Sequence, residues 1–133
     1  MLDSTPHPTP RKLILGSTSP YRRELLTRLR IPFDVAAPDV DETPNMSETP
    51  EQLACRLALA KAQAVASQFP ACVVIGSDQV ADLDGQALGK PGNHARAVAQ
   101  LQHMRGKTVV FQTAVAVVCL ASGFSQVDLA QIK

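Results

Sequence analysis

The chain alternates short apolar runs with longer segments of helical spacing. Residues 12–16 (KLILG) make a brief apolar run closed by Gly, the pattern of a buried strand. Ser19-Pro20 follows, with Ser suited to an N-cap and Pro to the first helical position. The helix opened there sets Leu25, Leu26 and Leu29 on one face and ends before Ile31-Pro32. Residues 33–36 predict a second strand, and 38–50, with three prolines, a loop. From Glu51 to about Gln68 the chain is Ala-rich, with Leu53, Leu57, Ala60 and Ala64 at helical spacing, and Pro70 closes this helix. Residues 72–75 (CVVI) predict a central strand that gives way at Gly76-Ser77-Asp78-Gln79. Asp84-Gly85 is a hairpin signal between 80–83 and 86–88, and Gly89-Lys90-Pro91-Gly92 breaks the chain again. Residues 93–104 carry Ala97, Val98, Leu101 and Met104 on a helix, with Gly106 as its C′ residue. A long β-branched strand over 108–120, a turn at Ser122-Gly123 and a returning strand over 124–132 complete the order. The order β-α-β-α-β-β-β-α-β-β predicts an α/β layer structure, a mixed sheet flanked by helices.

Composition narrows the class. The chain has 133 residues, 45% hydrophobic and 19% charged, which fits one globular domain and excludes a disordered chain. Residues 1–10, polar and rich in proline, predict a disordered tail ahead of a domain over 11–133. A net charge of +1 gives no bulk field for nucleic acid or a membrane surface. No apolar run approaches the roughly 18–20 residues that cross a bilayer, and the N-terminus lacks the apolar segment of a secretory signal. Cys55, Cys72 and Cys119 are widely spaced, which predicts reduced thiols in a cytosolic protein and no cysteine-built metal site. His7, His94 and His103 make no ligand pattern.

Charge placement says more than net charge. Six of the 13 basic side chains (Arg11, Lys12, Arg22, Arg23, Arg28, Arg30) fall between residues 11 and 30. Residues 34–51 then hold six of the 12 acids and no Lys or Arg. Two solvated surfaces would read this way, and so would an anion cradle beside a cation site.

Five short motifs bear on that choice. In Ser17-Thr18-Ser19-Pro20-Tyr21-Arg22-Arg23 a strand feeds a helix start carrying hydroxyls and two guanidiniums, groups that suit phosphate. An ordinary N-cap with two surface arginines has the same letters. Asp41-Glu42 is a solvated pair or, beside phosphate, a ligand set for a hard cation. Arg56 and Lys61 lie five residues apart, about 140° around a helix, so they cannot both centre on one face. Lys61 interrupts the Ala-rich stretch and could enter a site or snorkel at the surface. Asp78, read as lying just past a buried strand, would sit at the carboxyl end of the sheet, where open α/β folds bind ligands; a turn-capping Asp is the alternative. Lys90, between Gly and Pro, suits a phosphate contact or a plain turn.

Taken together, LILGSTSPYRRELL, the DE pair, RLALAKA, IGSDQV, LGKP and FQTAVAV resemble the Maf family of nucleoside triphosphate pyrophosphatases over about residues 11–133. The resemblance implies an α/β fold related to the inosine-triphosphate pyrophosphatases. It implies hydrolysis of a nucleoside triphosphate to monophosphate and pyrophosphate, with Mg²⁺ or Mn²⁺ as cofactor. Its phosphate-binding pattern falls on Ser17, Ser19, Arg22, Arg23, Lys61 and Lys90, its metal-binding acids on Glu42 and Asp78, and its catalytic aspartate on Asp78. Tyr21 before the arginine pair and Gln79 after the aspartate resemble the branch acting on 7-methyl-GTP rather than the dTTP/UTP branch. An aromatic face attracts a cationic methylated base, and an amide can read a base edge.

The resemblance further implies a cytoplasmic housekeeping role, with a nucleotide as partner and a homodimer as one expected assembly. It also implies a domain incomplete at its C-terminus, since family members continue past residue 133, and from this follow an open sheet edge and exposed apolar surface. A nucleotide-binding regulatory protein without turnover, linked to septum formation, is the rival reading. A nucleic-acid module is disfavoured by the charge and the single Tyr.

Overall fold

A computed structural model describes residues 11–88 and 93–133. The expected tail over 1–10 and Lys90 lie outside the described residues. The elements in chain order are β1 (Leu13–Gly16), α1 (Pro20–Thr27), β2 (Asp34–Ala36), α2 (Pro50–Ala66), β3 (Val73–Leu83), β4 (Gln86–Leu88), α3 (His94–Met104), β5 (Val109–Cys119) and β6 (Phe124–Ile132).

The strands form one mixed sheet in the order β2-β1-β3-β5-β6, with β4 also on β3. β1 runs parallel to β2 and β3, and the other pairings are antiparallel. The Asp84-Gly85 hairpin forms as predicted, with both residues at positive φ (52° and 85°).

The expected split of the central strand does not occur. Residues 72–75 and 80–83 were expected as separate strands, yet β3 runs unbroken through Gly76-Ser77-Asp78-Gln79. β5 pairs with it continuously from Val74↔Val118 to Leu83↔Val109, so the polar residues keep their ladder bonds. Gly76 is there for packing, not for a turn. A Cβ on it would lie 2.4 Å from the Ala58 carbonyl oxygen and 2.6 Å from the Ala62 nitrogen, both backbone atoms of α2.

That close approach organises the core. α2 lays Ala54, Ala58, Ala62 and Ala66, all fully buried, along the sheet, with Leu53, Leu57 and Val65 beside them. They meet Ile14, Val74, Val80, Ala114, Ala116 and Val118 from the facing strands. Thr49 and Gln52 close a capping box at the helix start, and Pro50 is buried at its first turn.

The opposite face of the sheet is far less covered. No residue of α1 is buried; Leu25 and Leu26, with Leu29 just past the end of the helix, border a cavity. α3 likewise buries none of its residues. Among the described residues no helix is long and apolar enough to cross a membrane.

Candidate active site

The site grows from a gap in strand pairing. β1 ends at Gly16, opposite Gly76, and β4 pairs only with Ala81–Leu83. On that side of β3, residues 77–80 have no neighbouring strand among the described residues. Asp78 and Gln79 sit in this notch, so Asp78 lies inside β3 rather than past its end. It does lie two residues beyond the parallel β1–β3 pairing, at the carboxyl end of that part of the sheet.

Alternation along β3 sends the two side chains to opposite faces. Asp78 turns to the α2 side, where its Oδ1 accepts from Lys61 Nζ at 2.9 Å. Lys61 also pairs with Glu42 Oε1 at 3.0 Å. The Lys61 and Asp78 side chains are only 12% and 10% exposed, while Glu42 is 56% exposed at the rim. One ammonium therefore bridges a buried carboxylate and a solvated one. Burying Asp78 without that partner would be costly, so the pair is held in place electrostatically as well as by packing.

The loop after β1 wraps the same end of the sheet. Buried Ser17 accepts from the Ser19 N–H at 3.0 Å, and Ser19 Oγ accepts from the Arg22 N–H at 3.3 Å. Arg23 N–H bonds the Ser19 carbonyl, and Pro20 has no N–H, so much of the first turn of α1 is already spent. An anion at this helix start would therefore meet side chains. The Arg22 guanidinium has no acceptor among the described residues and borders a 280 Å³ cleft with Ser17, Thr18, Ser19, Glu42 and Lys61.

Ser19 and Arg22 also border a second, larger cavity of 730 Å³ between α1 and the open face of the sheet. Tyr21, Leu25, Ile75, Gln79 and Thr113 contribute to its walls. Tyr21 is 69% exposed, and Gln79 Nε2 donates to Thr113 Oγ1 at 3.2 Å. A polar cleft and a mostly apolar cavity thus meet at Ser19 and Arg22.

The structure brings together Ser17, Ser19, Arg22, Glu42, Lys61 and Asp78, with Tyr21 and Gln79 in the adjoining cavity. It does not bring Arg23 to them. Consecutive helical residues point about 100° apart, and Arg23 borders a different cleft with Thr27, Arg30 and Asp34. Asp41 also stays out of the cleft. Its Oδ1 accepts from the Thr43 hydroxyl (2.6 Å) and N–H (2.9 Å), bonds that hold its carboxyl below the usual carboxylate range.

A family model described as Maf-like protein matches residues 12–132, and the chain belongs to that family. The chain is 80% identical over 126 residues to a 7-methyl-GTP pyrophosphatase of Albidiferax ferrireducens, a match covering 95% of this chain and 63% of that protein. It is 73% identical over 126 residues to a protein of the same description from a Polaromonas species, covering 95% and 58%. The chain thus spans about three-fifths of the length of these relatives. Its fold is similar to the Ham1 protein of Staphylococcus aureus, with a TM-score of 0.65 at 15% identity over 92% of this chain and 70% of that one. It is also similar to a nucleoside-triphosphatase / dITP/XTP pyrophosphatase from Mycobacterium abscessus, with a TM-score of 0.57 at 18% identity over 90% and 71%. The mixed sheet with flanking helices, expected from the sequence, is the fold found.

Proposed function

We propose that this chain carries the hydrolytic centre of a nucleoside triphosphate pyrophosphatase acting on 7-methyl-GTP or a similar cationic guanine nucleotide. The observation that carries this reading is the junction of the two clefts at Ser19 and Arg22. A triphosphate in the polar cleft leaves its base in the cavity beside Tyr21 and Gln79. The descriptions of the relatives from Albidiferax and Polaromonas name the same substrate.

The geometry supports the following division of labour. Arg22, Lys61 and the hydroxyls of Ser17 and Ser19 hold phosphate oxygens, and Lys90 joins them in the resemblance. Glu42 and Asp78 would hold Mg²⁺ or Mn²⁺. They are hard oxygen donors converging on one cationic point, which the Lys61 ammonium occupies at 3.0 and 2.9 Å. When bound, such an ion neutralises phosphate charge and acidifies a nearby water. Asp78 accepts the proton of the attacking water. The water oxygen bonds to the α-phosphorus as the bond to the α–β bridging oxygen breaks, and pyrophosphate departs with that electron pair. Tyr21 and Gln79 select the base, the ring by attracting positive charge and the amide by pairing with the base edge. Free Cys55, Cys72 and Cys119 suit a reducing cytosol.

Pyrophosphate release across a panel of nucleotides tests the reading, with 7-methyl-GTP expected to turn over fastest. Asp78→Asn should lower turnover by about 10²- to 10⁴-fold, the usual contribution of a general base, with nucleotide affinity little changed. Nucleotide binding with no release from any member of the panel would instead establish a non-hydrolysing, regulatory protein.

A further inference from the structure

We propose that Arg56 is a positioning residue that sets Glu42 at the cation site, an inference that rests on the role given to Glu42 above. Arg56 projects from α2 about 140° from Lys61 and contributes nothing to either cleft. Its Nε donates to Glu48 Oε2 at 2.6 Å and one terminal nitrogen to Glu48 Oε1 at 3.0 Å, a bidentate pair. The same nitrogen donates to the carbonyl of Thr43 at 3.0 Å. Thr43 directly follows Glu42 in the chain and is itself tied to Asp41 by two hydrogen bonds.

The acidic loop therefore meets α2 at two places. Arg56 grips residues 43 and 48, and Lys61 meets Glu42 at 3.0 Å. Of these anchors, only Lys61 borders the cleft. The Glu48 side chain is 8% exposed and Arg56 33%, whereas Glu42 is 56% exposed, so the part-buried pair locates the loop and leaves the working carboxylate free to exchange partners. Lysine could replace the charge of Arg56 but not its fork. A single ammonium cannot serve both oxygens of Glu48 and the Thr43 carbonyl with the same planar geometry.

Two measurements decide the matter, each made on the whole chain. In hydrogen–deuterium exchange, Arg56→Met should speed exchange over residues 40–49 while α2 and β3 keep their protection; unchanged loop exchange would overturn the proposal. In direct Mn²⁺ titration by calorimetry or spin resonance, Arg56→Met should weaken binding by about 10- to 100-fold, the range for groups that orient metal ligands. Arg56→Lys should recover part of that loss. In a Glu42→Gln background the Arg56→Met effect should vanish, because Arg56 then has no carboxylate to position. An effect of full size in that background would mark Arg56 as a purely structural residue and overturn the proposal, as would wild-type chain that binds no Mn²⁺. Wild-type chain that binds Mn²⁺ normally yet releases no pyrophosphate would sink the proposed reaction and leave this role standing.

Discussion

The two faces of the sheet come from the same strands but are finished differently. On one face α2 presses small side chains onto β3 and β5, close enough that Gly76 admits no Cβ. On the other, α1 stands off and leaves a 730 Å³ cavity with Val115 and Leu25 about two-fifths exposed. The close face supplies the fold and a buried Asp78–Lys61 pair. The loose face supplies room for a ligand. The notch beside β3 lets one site draw on both.

The largest test of this contrast is a methyl group. Gly76→Ala places a Cβ against backbone, which cannot rotate away, so α2 must move off the sheet. Overpacking of this kind costs about 1–3 kcal/mol and occasionally more, and with two backbone atoms of α2 in the way the upper end is expected here. Val115→Thr on the open face should stay within about 0.5 kcal/mol, as surface substitutions do. Urea denaturation of the two variants makes the comparison. Similar losses for both would mean that the faces are equally packed.

Tyr21 tests the loose face with a smaller effect. Because it is 69% exposed, Tyr21→Ala should leave stability almost unchanged. It should reduce the preference for 7-methyl-GTP over GTP by about 2- to 30-fold, the range that follows from a cation–π contact, while Tyr21→Phe keeps the preference. Ratios of kcat/KM for the two nucleotides give the result. Preference unchanged in Tyr21→Ala would move base selection to Gln79.

The same contrast explains what was legible in the sequence. Strands and helices were readable wherever apolar spacing was regular, because burial itself imposes the period. β3 was misread because Gly76-Ser77-Asp78-Gln79 has turn composition. Only the partner strand β5, some 40 residues away, shows that the ladder continues. Glu42, Lys61 and Asp78 were assigned together through their resemblance to a family pattern, and the structure brings both carboxylates within 3.0 Å of the Lys61 ammonium. Arg23 was grouped with Arg22 because the family pattern falls on both, but helix geometry points it toward another cleft. The partner of Arg56 was unreadable. Glu48 stands just before the N-cap of α2, eight residues from Arg56, and it reaches the helix only because the preceding loop turns it back, a path that no periodicity encodes.

The smallest expected effect asks whether charge, as well as packing, secures the α2 side. The hydrogen bonds from Arg56 hold the Glu48 carboxyl below its ordinary value, with help from the Asn45 N–H. The unfolded chain therefore takes up this proton first as pH falls. The stabilisation is fully present above the ordinary carboxylate range, about pH 4–5, and is lost as pH drops through the depressed folded value. Glu48→Gln removes it at every pH. Wild type should exceed this variant in stability at pH 7 by a modest margin, and the margin should shrink as pH falls below about 4. Thermal melts of both chains from pH 7 to pH 3 measure it. A margin that does not change with pH would mean that Glu48 holds the loop by shape alone, leaving α2 attached on this side through packing and the Lys61 pair.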